Sequence, residues 1–454
     1  MEHEGENYMK LRFTRIVLVL QVMIMLAGCA SKSGEKTLNG VDISQYTIVY
    51  SQEAPDYCQR AAEYIQAQIQ QRAGMEIPVC EASSGTYAHE ILVGDTDRAL
   101  SQELTSQSRN LEFYFKADAN HIAMNADYFI IAAAAYYFVE TYIPGSNFQS
   151  TIASDIITVA EPITEKANNF IYLIGDGMGP NQTKLLEEYS IGELAEDSDN
   201  EDIFYGYYLP YQGVIHTDSL SGVTDSAAGA TALACGYKTN NGYVGQDQYG
   251  EPVQSLTELA ISLGKATAIL SSDLQTGATP SGFSAHASDR GDSRSILDCQ
   301  VKLMTEHETI FECALQGTAE YQFYITEVLN QVDTDEDGFF LMYEEGYIDK
   351  NCHGNDMGET ILSMGRFNQA IGTFMEYAFY HPDTFLIITA DHETGDLRLN
   401  SEGKLGFHST GHTGVDVPIF GYGQGAEVFQ DYSEQNNEVP KVIAKLWGVE
   451  DFGM

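Results

Sequence analysis

The spacing of apolar residues divides the chain into two parts. Between residues 41 and 162, short strand-like apolar runs accompany one helical stripe that ends at Gly74. A hairpin over 111–124 and an apolar helix over 130–142 follow it. The stripe has apolar residues three or four positions apart, at Cys58, Ala61, Ile65 and Ile69. This pattern predicts a small N-terminal α/β module.

From residue 166 to residue 454, longer apolar strands alternate with helices, and the clearest strands run directly into acidic or polar residues. In parallel sheets, ligand sites form at the carboxyl ends of the strands, so these junctions predict one shared site. The predicted fold class is therefore α/β, with a large, mostly parallel central sheet flanked by helices on both faces and preceded by the smaller module. The strands are expected at 170–174, 267–270, 339–343 and 384–389.

The N-terminus has the pattern of an export signal. Basic residues precede an apolar run over 16–26, which is too short to span a bilayer. The run ends in Leu-Ala-Gly-Cys29, which resembles the lipobox of bacterial lipoproteins. We expect a signal peptide over 1–29 with lipidation at Cys29, a tether over 30–40, and export to a bacterial membrane facing the periplasm or exterior. An ordinary signal peptide with an incidental cysteine is the alternative.

Charge and cysteine content narrow the function. The chain has 23 Lys and Arg against 66 Asp and Glu, a formal net charge of −43, so nucleic-acid binding is not expected. An anionic substrate would need a local positive centre, which bound metal ions commonly supply. Six cysteines remain after Cys29 in a context that permits disulfides, but their spacing does not show which would pair.

Several residues with catalytic potential follow the predicted strands. The first strand leads into Asp176, which lies between glycines that let a ligand approach the backbone, and the last leads into Asp391 and His392. Ser226 begins a run of small residues that predicts a helix, whose N-terminus would favour an anion. Taken alone, Asp176 is compatible with an ordinary turn and Ser226 with a helix cap.

Asp349, His353 and His412 add a carboxylate and two imidazoles downstream. Mixed nitrogen and carboxylate ligands suit zinc. A single histidine is more often solvated or structural, but these occur beside acidic residues in a chain with only 11 histidines. The combination predicts a metal site.

Residues 333–344 also match the calcium-binding loop of an EF-hand. An EF-hand requires a helix after the loop, whereas the apolar run at 339–343 predicts a buried strand. We therefore interpret 333–337 as a solvated acidic turn.

From Asn169 to the C-terminus, the order and local spacing of these segments resemble the alkaline phosphatases. The resemblance implies two zinc ions and one magnesium ion as cofactors. The implied zinc ligands form two sets, with Asp349, His353 and His412 in one and Asp176, Asp391 and His392 in the other.

The resemblance also implies that Asp176, Thr279 and Glu344 bind magnesium and that Arg290 clamps the substrate phosphate. Ser226 would attack phosphorus to form a phosphoserine intermediate, with water then releasing phosphate. A planar guanidinium and paired metal ions suit such a phosphoryl group.

The chain departs from this family in two places, and the register of one strand raises a further question. Gly277 occupies a position where other members carry Asp or His, which puts the orientation of Lys350 and the support for magnesium in doubt. Only 58 residues separate Arg290 from Asp349, where relatives have longer insertions. Glu344 and Glu345 are adjacent on a predicted strand, so only one can face the metal, and the spacing to Asp349 favours Glu344.

The expected function is therefore hydrolysis of small phosphate monoesters, with a possible homodimer as in many relatives. A phosphodiesterase or sulfatase of the same superfamily is one alternative. A non-catalytic surface-binding lipoprotein is another, because the module at 41–162 weakly resembles accessory domains of glycoside hydrolases. Such a module would bind glycan or a surface partner.

Overall fold

The computed structural model describes residues 35–51, 56–104, 110–188, 203–313 and 321–454. The expected signal peptide and Cys29 lie outside the described residues. Within these ranges, no helix is both long and apolar enough to cross a membrane. The six cysteines after Cys29 are all unpaired thiols.

The N-terminal module contains a mixed six-stranded sheet and a small three-stranded one. Its helices are α1 (Tyr57–Ala73), α2 (Ala99–Gln102) and α3 (Ile131–Tyr142). Its strands are β1 (Lys36–Leu38), β2 (Val41–Asp42), β3 (Thr47–Tyr50), β4 (Val79–Glu81), β5 (Glu90–Val93), β6 (Phe113–Ala117), β7 (His121–Ala126), β8 (Phe148–Ser150) and β9 (Ile157–Val159).

Most of the module follows the predicted elements. The apolar stripe of α1 is buried, and Gly74 ends the helix with a left-handed conformation at φ +66°. The expected hairpin is the antiparallel pair β6 and β7. The described part of the segment at 30–40, which we expected to be a tether, instead contains strand β1, which pairs with β2 and with β8. The described end of that segment therefore belongs to the module.

The second part is built on an eight-stranded sheet in the order β13-β12-β14-β10-β15-β20-β11-β21. The strands of the larger part are β10 (Asn169–Gly175), β11 (Tyr211–His216), β12 (Ala266–Ser271), β13 (Ile310–Cys313), β14 (Phe339–Glu345), β15 (Thr384–Thr389), β16 (Glu393–Thr394), β17 (Arg398–Leu399), β18 (Leu405–Gly406), β19 (His412–Thr413), β20 (Val417–Tyr422) and β21 (Ser433–Gln435).

The larger part also contains helices. They are α4 (Leu185–Glu188), α5 (Ser226–Cys235), α6 (Leu256–Ser262), α7 (Ala278–Gly282), α8 (Ser293–His307), α9 (Tyr321–Val332), α10 (Tyr347–His353), α11 (Met357–Tyr380) and α12 (Val439–Leu446). The first five strands in the spatial order, β13, β12, β14, β10 and β15, are parallel to one another, and β20 is antiparallel to both of its neighbours. The predicted fold class is confirmed, including the strand at 339–343 that excludes an EF-hand helix.

The module packs against α11 and against the segment Tyr205–Tyr208. Arg60 Nε lies 2.8 Å from Glu376 Oε1, and the Glu376 side chain is only 11% exposed. Phe129 packs edge-on against Tyr205 at a centroid distance of 4.8 Å, and it also stacks on Phe379.

Candidate active site

The candidate site lies where four parallel strands of the large sheet end. Strands β10, β12, β14 and β15 are neighbours in the sheet, and the segments that follow them carry Asp176, Thr279, Asp349 and Asp391. All four strands are apolar and fully or almost fully buried, so packing fixes where their ends lie. The site is therefore built on the ends of closely packed, buried strands.

Asp176, Asp391 and His392 form a buried group. One ligand atom from each lies within 4.8 Å of the others. Asp391 and His392 are 0% exposed. His392 Nε2 is 3.3 Å from Asp391 Oδ2 and 3.5 Å from Asp176 Oδ1. Gly177 lets the backbone of Asp349 lie close to this group, because Gly177 has φ +76° and a Cβ there would be 2.9 Å from the Cα of Asp349.

Burial and charge perturb this group. Burial, reinforced by the Asp349 charge, raises the pKa of Asp391 to about 7. Burial and the nearby carboxylates raise the pKa of Asp176 well above its usual range. Burial also lowers the pKa of His392 to about 3, so its imidazole is neutral.

Asp349, His353 and His412 form a second, more open group, again with one ligand atom from each within 4.8 Å of the others. The His353 side chain is 40% exposed. Burial opposes the ionisation of Asp349, but a hydrogen bond from His412 and the other nearby imidazoles hold its pKa below the usual range. The same pairing raises the pKa of His412 against the effect of burial.

The imidazole geometry of the open group is that of metal ligands. Nδ1 of His353 faces the carbonyl oxygen of Thr410, and Nδ1 of His412 lies 2.8 Å from that of Thr224. A ring nitrogen beside a carbonyl carries a proton, so in the neutral form of each imidazole it is Nε2 that has the lone pair. These Nε2 atoms are only 3.1 Å apart. Two lone pairs at that distance need a cation or a proton between them.

The buried group also fits a cation. Within the described part of the chain, Asp176 Oδ1 and Asp391 Oδ2 are buried and have no hydrogen-bond donor. Buried carboxylate oxygens without donors are costly unless they are protonated or bound to a metal. Carboxylate and imidazole donors in both groups match zinc chemistry.

Ser226 lies beside the buried group at the N-terminus of α5. Its Oγ is 3.1 Å from His392 Nε2, and the residue is 2% exposed. Asp225 caps the helix by accepting from the backbone N–H of Ala228 at 3.0 Å. Gly229 lets α5 pack closely on Asp391, since a Cβ there would lie 3.0 Å from the Asp391 carbonyl oxygen.

Arg290 approaches the same end of α5. One of its terminal nitrogens, Nη1, lies 3.3 Å from Asp225 Oδ2, and its side chain is 40% exposed. Arg290 is also close enough for its charge to oppose the raised pKa of Asp176. A guanidinium held by one carboxylate, with its remaining donors free for other acceptors, is suited to an anionic oxygen.

Thr279 and Glu344 lie on the other side of Asp176. Thr279 Oγ1 donates to Asp176 Oδ2 at 3.5 Å, and the same hydroxyl stabilises the Glu344 carboxylate. Burial raises the pKa of Glu344 to about 8. Glu345 points elsewhere and accepts from Ser272 Oγ at 3.0 Å. Of the two adjacent glutamates, Glu344 is therefore the one that lies beside Thr279 and Asp176.

Three polar residues that sequence reasoning overlooked organise the site. Thr394 Oγ1 donates to Asp349 Oδ1 and lies 3.2 Å from His392 Nδ1, so it links the two groups. Glu393 accepts from Thr413, which follows His412. Asp273 pairs with Lys350. The only available signal was that Glu393 and Thr394 directly follow His392.

Comparisons with known proteins agree with this geometry. The family model described as alkaline phosphatase matches residues 167–320 and 322–400. Alkaline phosphatase 3 of Bacillus subtilis is 26% identical over 304 residues, which covers 54% of this chain and 65% of the relative. The alkaline phosphatase of Schizosaccharomyces pombe is 37% identical over 316 residues, covering 52% and 58% respectively. The chain thus spans less than two thirds of these relatives.

Solved structures give the same result. Alkaline phosphatase from the Antarctic bacterium TAB5 is 26% identical with a TM-score of 0.54, and the match covers 63% of this chain and 99% of that one. A variant of that enzyme, solved with Mg bound in its M3 site, gives a TM-score of 0.53 at 25% identity over the same shares.

Proposed function

The chain belongs to the alkaline phosphatase family, and from this premise we propose that it hydrolyses phosphate monoesters through a phosphoserine intermediate at Ser226. The observation that carries the proposal is the position of Ser226 Oγ, 3.1 Å from a buried, neutral imidazole that itself belongs to a cluster of carboxylates. A hydroxyl in that environment is placed for attack on an electrophile.

The residues fit a set of two zinc ions and one magnesium ion. The open group and the buried group would each hold one zinc, and Asp176, Thr279 and Glu344 would hold magnesium. When bound, these ions would supply the positive charge that a phosphate needs in a chain of formal charge −43.

The chain's own residues would divide the remaining work. Arg290 would hold phosphate oxygens with the donors that Asp225 leaves free. The N-terminal backbone of α5 would favour the developing negative charge near Ser226. Asp225 orients both the helix and the guanidinium, since its two oxygens bond Ala228 and Arg290 separately. Ser226 would take the phosphoryl group as the P–O bond to the ester's alcohol breaks and the alcohol leaves, and it would carry that group until water releases it as phosphate.

Comparing esters that share one leaving group tests this proposal. Protein with zinc and magnesium added should hydrolyse p-nitrophenyl phosphate much faster than bis(p-nitrophenyl) phosphate or p-nitrophenyl sulfate. Ser226→Ala should abolish or cripple the monoester reaction, whereas Ser295→Ala on exposed α8 should not. Preference for the diester or the sulfate would favour the other superfamily activities. No turnover of any ester by folded, metal-loaded protein would favour a binding role.

We also propose that Cys29 anchors the protein to a bacterial membrane after export. The support is the basic segment, the short apolar run and the lipobox-like sequence. In an expressing bacterium, Cys29→Ala should move the protein from the membrane fraction to the soluble exported fraction. Unchanged membrane attachment of this variant would contradict lipidation.

A further inference from the structure

An ion pair joins two segments at the edge of the candidate site. Lys350 Nζ contacts Asp273 Oδ1, and the side chains of Lys350 and Asp273 are 42% and 19% exposed. Asp273 follows β12, whereas Lys350 is on α10 directly after Asp349. The pair therefore connects the segment leading to Thr279 with the helix that carries the open group.

Asp273 is held in place by its neighbours. Its backbone N–H donates to Ser271 Oγ at 2.9 Å, and that hydroxyl donates to Glu344. Its Cβ lies 3.1 Å from the position where a Cβ on Gly346 would be, so it packs directly on the backbone after β14. Asp273 thus lies near Glu344, and its charge acts on that carboxylate.

Gly277 leaves the space that Asp273 uses. A Cβ at Gly277 would lie 3.3 Å from Asp273 Oδ2 and 2.8 Å from the carbonyl oxygen of Leu274. The second distance is too short for a side chain unless the backbone moves. In this conformation, position 277 therefore cannot hold an acidic side chain. The carboxylate that lies beside this position is that of Asp273.

We propose that Asp273 is a positioning residue that holds Lys350 and balances its charge beside the cation site of Thr279 and Glu344. The inference rests on the proposed function for the identity of that site. A lysine ammonium is a mobile point charge, and a fixed carboxylate restricts it to one place. The two charges of the pair are opposite, so their effects on a bound cation and on a bound phosphate largely cancel.

Because Asp273 and Lys350 carry opposite charges, we expect their removal to shift the affinity for Mg²⁺ in opposite directions. Removing the Asp273 charge leaves the Lys350 ammonium uncompensated at this edge of the site and removes a negative charge near Glu344, which should weaken magnesium binding. Removing the Lys350 charge leaves an additional carboxylate, which should strengthen magnesium binding while weakening the binding of phosphate. A purely structural role would weaken both ligands in both variants.

The test is calorimetric titration of Mg²⁺, and separately of inorganic phosphate, into the zinc-loaded protein. Asp273→Asn should raise the Kd for Mg²⁺ about tenfold, as expected for residues that support metal ligands. Lys350→Ala should leave that Kd unchanged or lower it but raise the Kd for phosphate. The double variant should bind Mg²⁺ more tightly than Asp273→Asn alone. Asp273→Glu should recover part of the affinity, and Asp298→Asn on exposed α8 should match the wild type.

Binding measurements separate this inference from the proposed function. Opposite shifts in Mg²⁺ affinity in a protein that hydrolyses no phosphate ester would support the inference and contradict the proposed function. Equal Mg²⁺ affinity in wild type and Asp273→Asn, or weaker affinity in both single variants, would overturn the inference even in an active enzyme. Wild type that fails to bind Mg²⁺ would overturn it as well.

Discussion

The two candidate metal groups use similar ligands in different surroundings. The Asp176 group is buried in the sheet's end and contains carboxylate oxygens without donors. The Asp349 group includes a His353 side chain that is 40% exposed, and each of its imidazoles is oriented by a backbone carbonyl. Burial raises the pKa of Asp391, whereas imidazole contacts lower that of Asp349. Without metal, ionised Asp391 therefore destabilises the fold, whereas ionised Asp349 stabilises it.

The sharpest way to break this comparison is to remove one imidazole from each group. His392→Ala should lower kcat/KM by on the order of 10³-fold, because it removes a buried ligand that also contacts Ser226. His353→Ala should lower kcat/KM by less, about tenfold to a hundredfold, and excess zinc should restore its activity. The measurement is p-nitrophenyl phosphate turnover across a zinc titration, with His307→Ala on α8 as the control. Equal losses in both variants would remove the distinction.

The pH dependence of the metal-free protein gives a second comparison. Asp391 has a folded pKa of about 7 against an ordinary 3.8, so its contribution to stability is complete below about pH 4 and is lost as pH rises toward 7. Asp349 has a lowered pKa, so its contribution is present above its ordinary pKa and lost on acidification. Denaturant unfolding of chelated protein at several pH values measures both effects.

In that experiment, Asp391→Asn should flatten the decline between about pH 4 and pH 7. Asp349→Asn should destabilise the protein most at neutral pH and least in acid. Added zinc should stabilise the wild type more at pH 8 than at pH 5, since it replaces the protons at Asp391. Identical profiles for the two variants would contradict the assigned environments.

Metal removal should distinguish the groups by rate. The exposed imidazole gives a chelator access to the open group, whereas the buried group requires local opening. We expect zinc to leave in two phases, with activity lost in the first. Zinc content measured against time in EDTA gives both phases, and His353→Ala should lack the fast one. A single phase in the wild type would indicate that the groups release metal together.

The smallest expected effect is at Thr394, which links the groups. Thr394→Val removes a hydroxyl that donates to Asp349 and lies beside His392 Nδ1. We expect a loss of about tenfold in kcat/KM and weaker zinc binding at both groups. Thr305→Val on exposed α8 is the matched control. A change in zinc affinity at only one group would show that Thr394 does not couple them.

The elements that could be predicted from the sequence are the strands that are buried in the core, because burial requires a continuous run of apolar residues. Continuous apolar runs in β10, β12, β14 and β15 are typical of strands buried on both faces of a parallel sheet, and their ends located the site. Ser226 and the paired acids and histidines were singled out by their positions after predicted strands, at a predicted helix start and beside acidic residues, and their roles were assigned from the resemblance to a known family.

Contacts between distant segments were not predictable in this way. The Asp273–Lys350 pair joins residues 77 positions apart, and nothing local to either residue indicates the other. The packing of the N-terminal module on α11 likewise depends on Arg60 and Glu376, which carry no mutual signal in one sequence. The strand pairing of residues 36–38 was also missed, because such a short polar segment gains its structure from its neighbours.

The most direct test of the central claim is to trap phosphate on Ser226. Zinc- and magnesium-loaded protein is mixed with a phosphate monoester, quenched in acid, digested and analysed by mass spectrometry. One phosphoryl group should appear on the peptide that contains Ser226, and none should appear in Ser226→Ala. An active enzyme that never carries phosphate at Ser226, or carries it at another residue, would contradict the account.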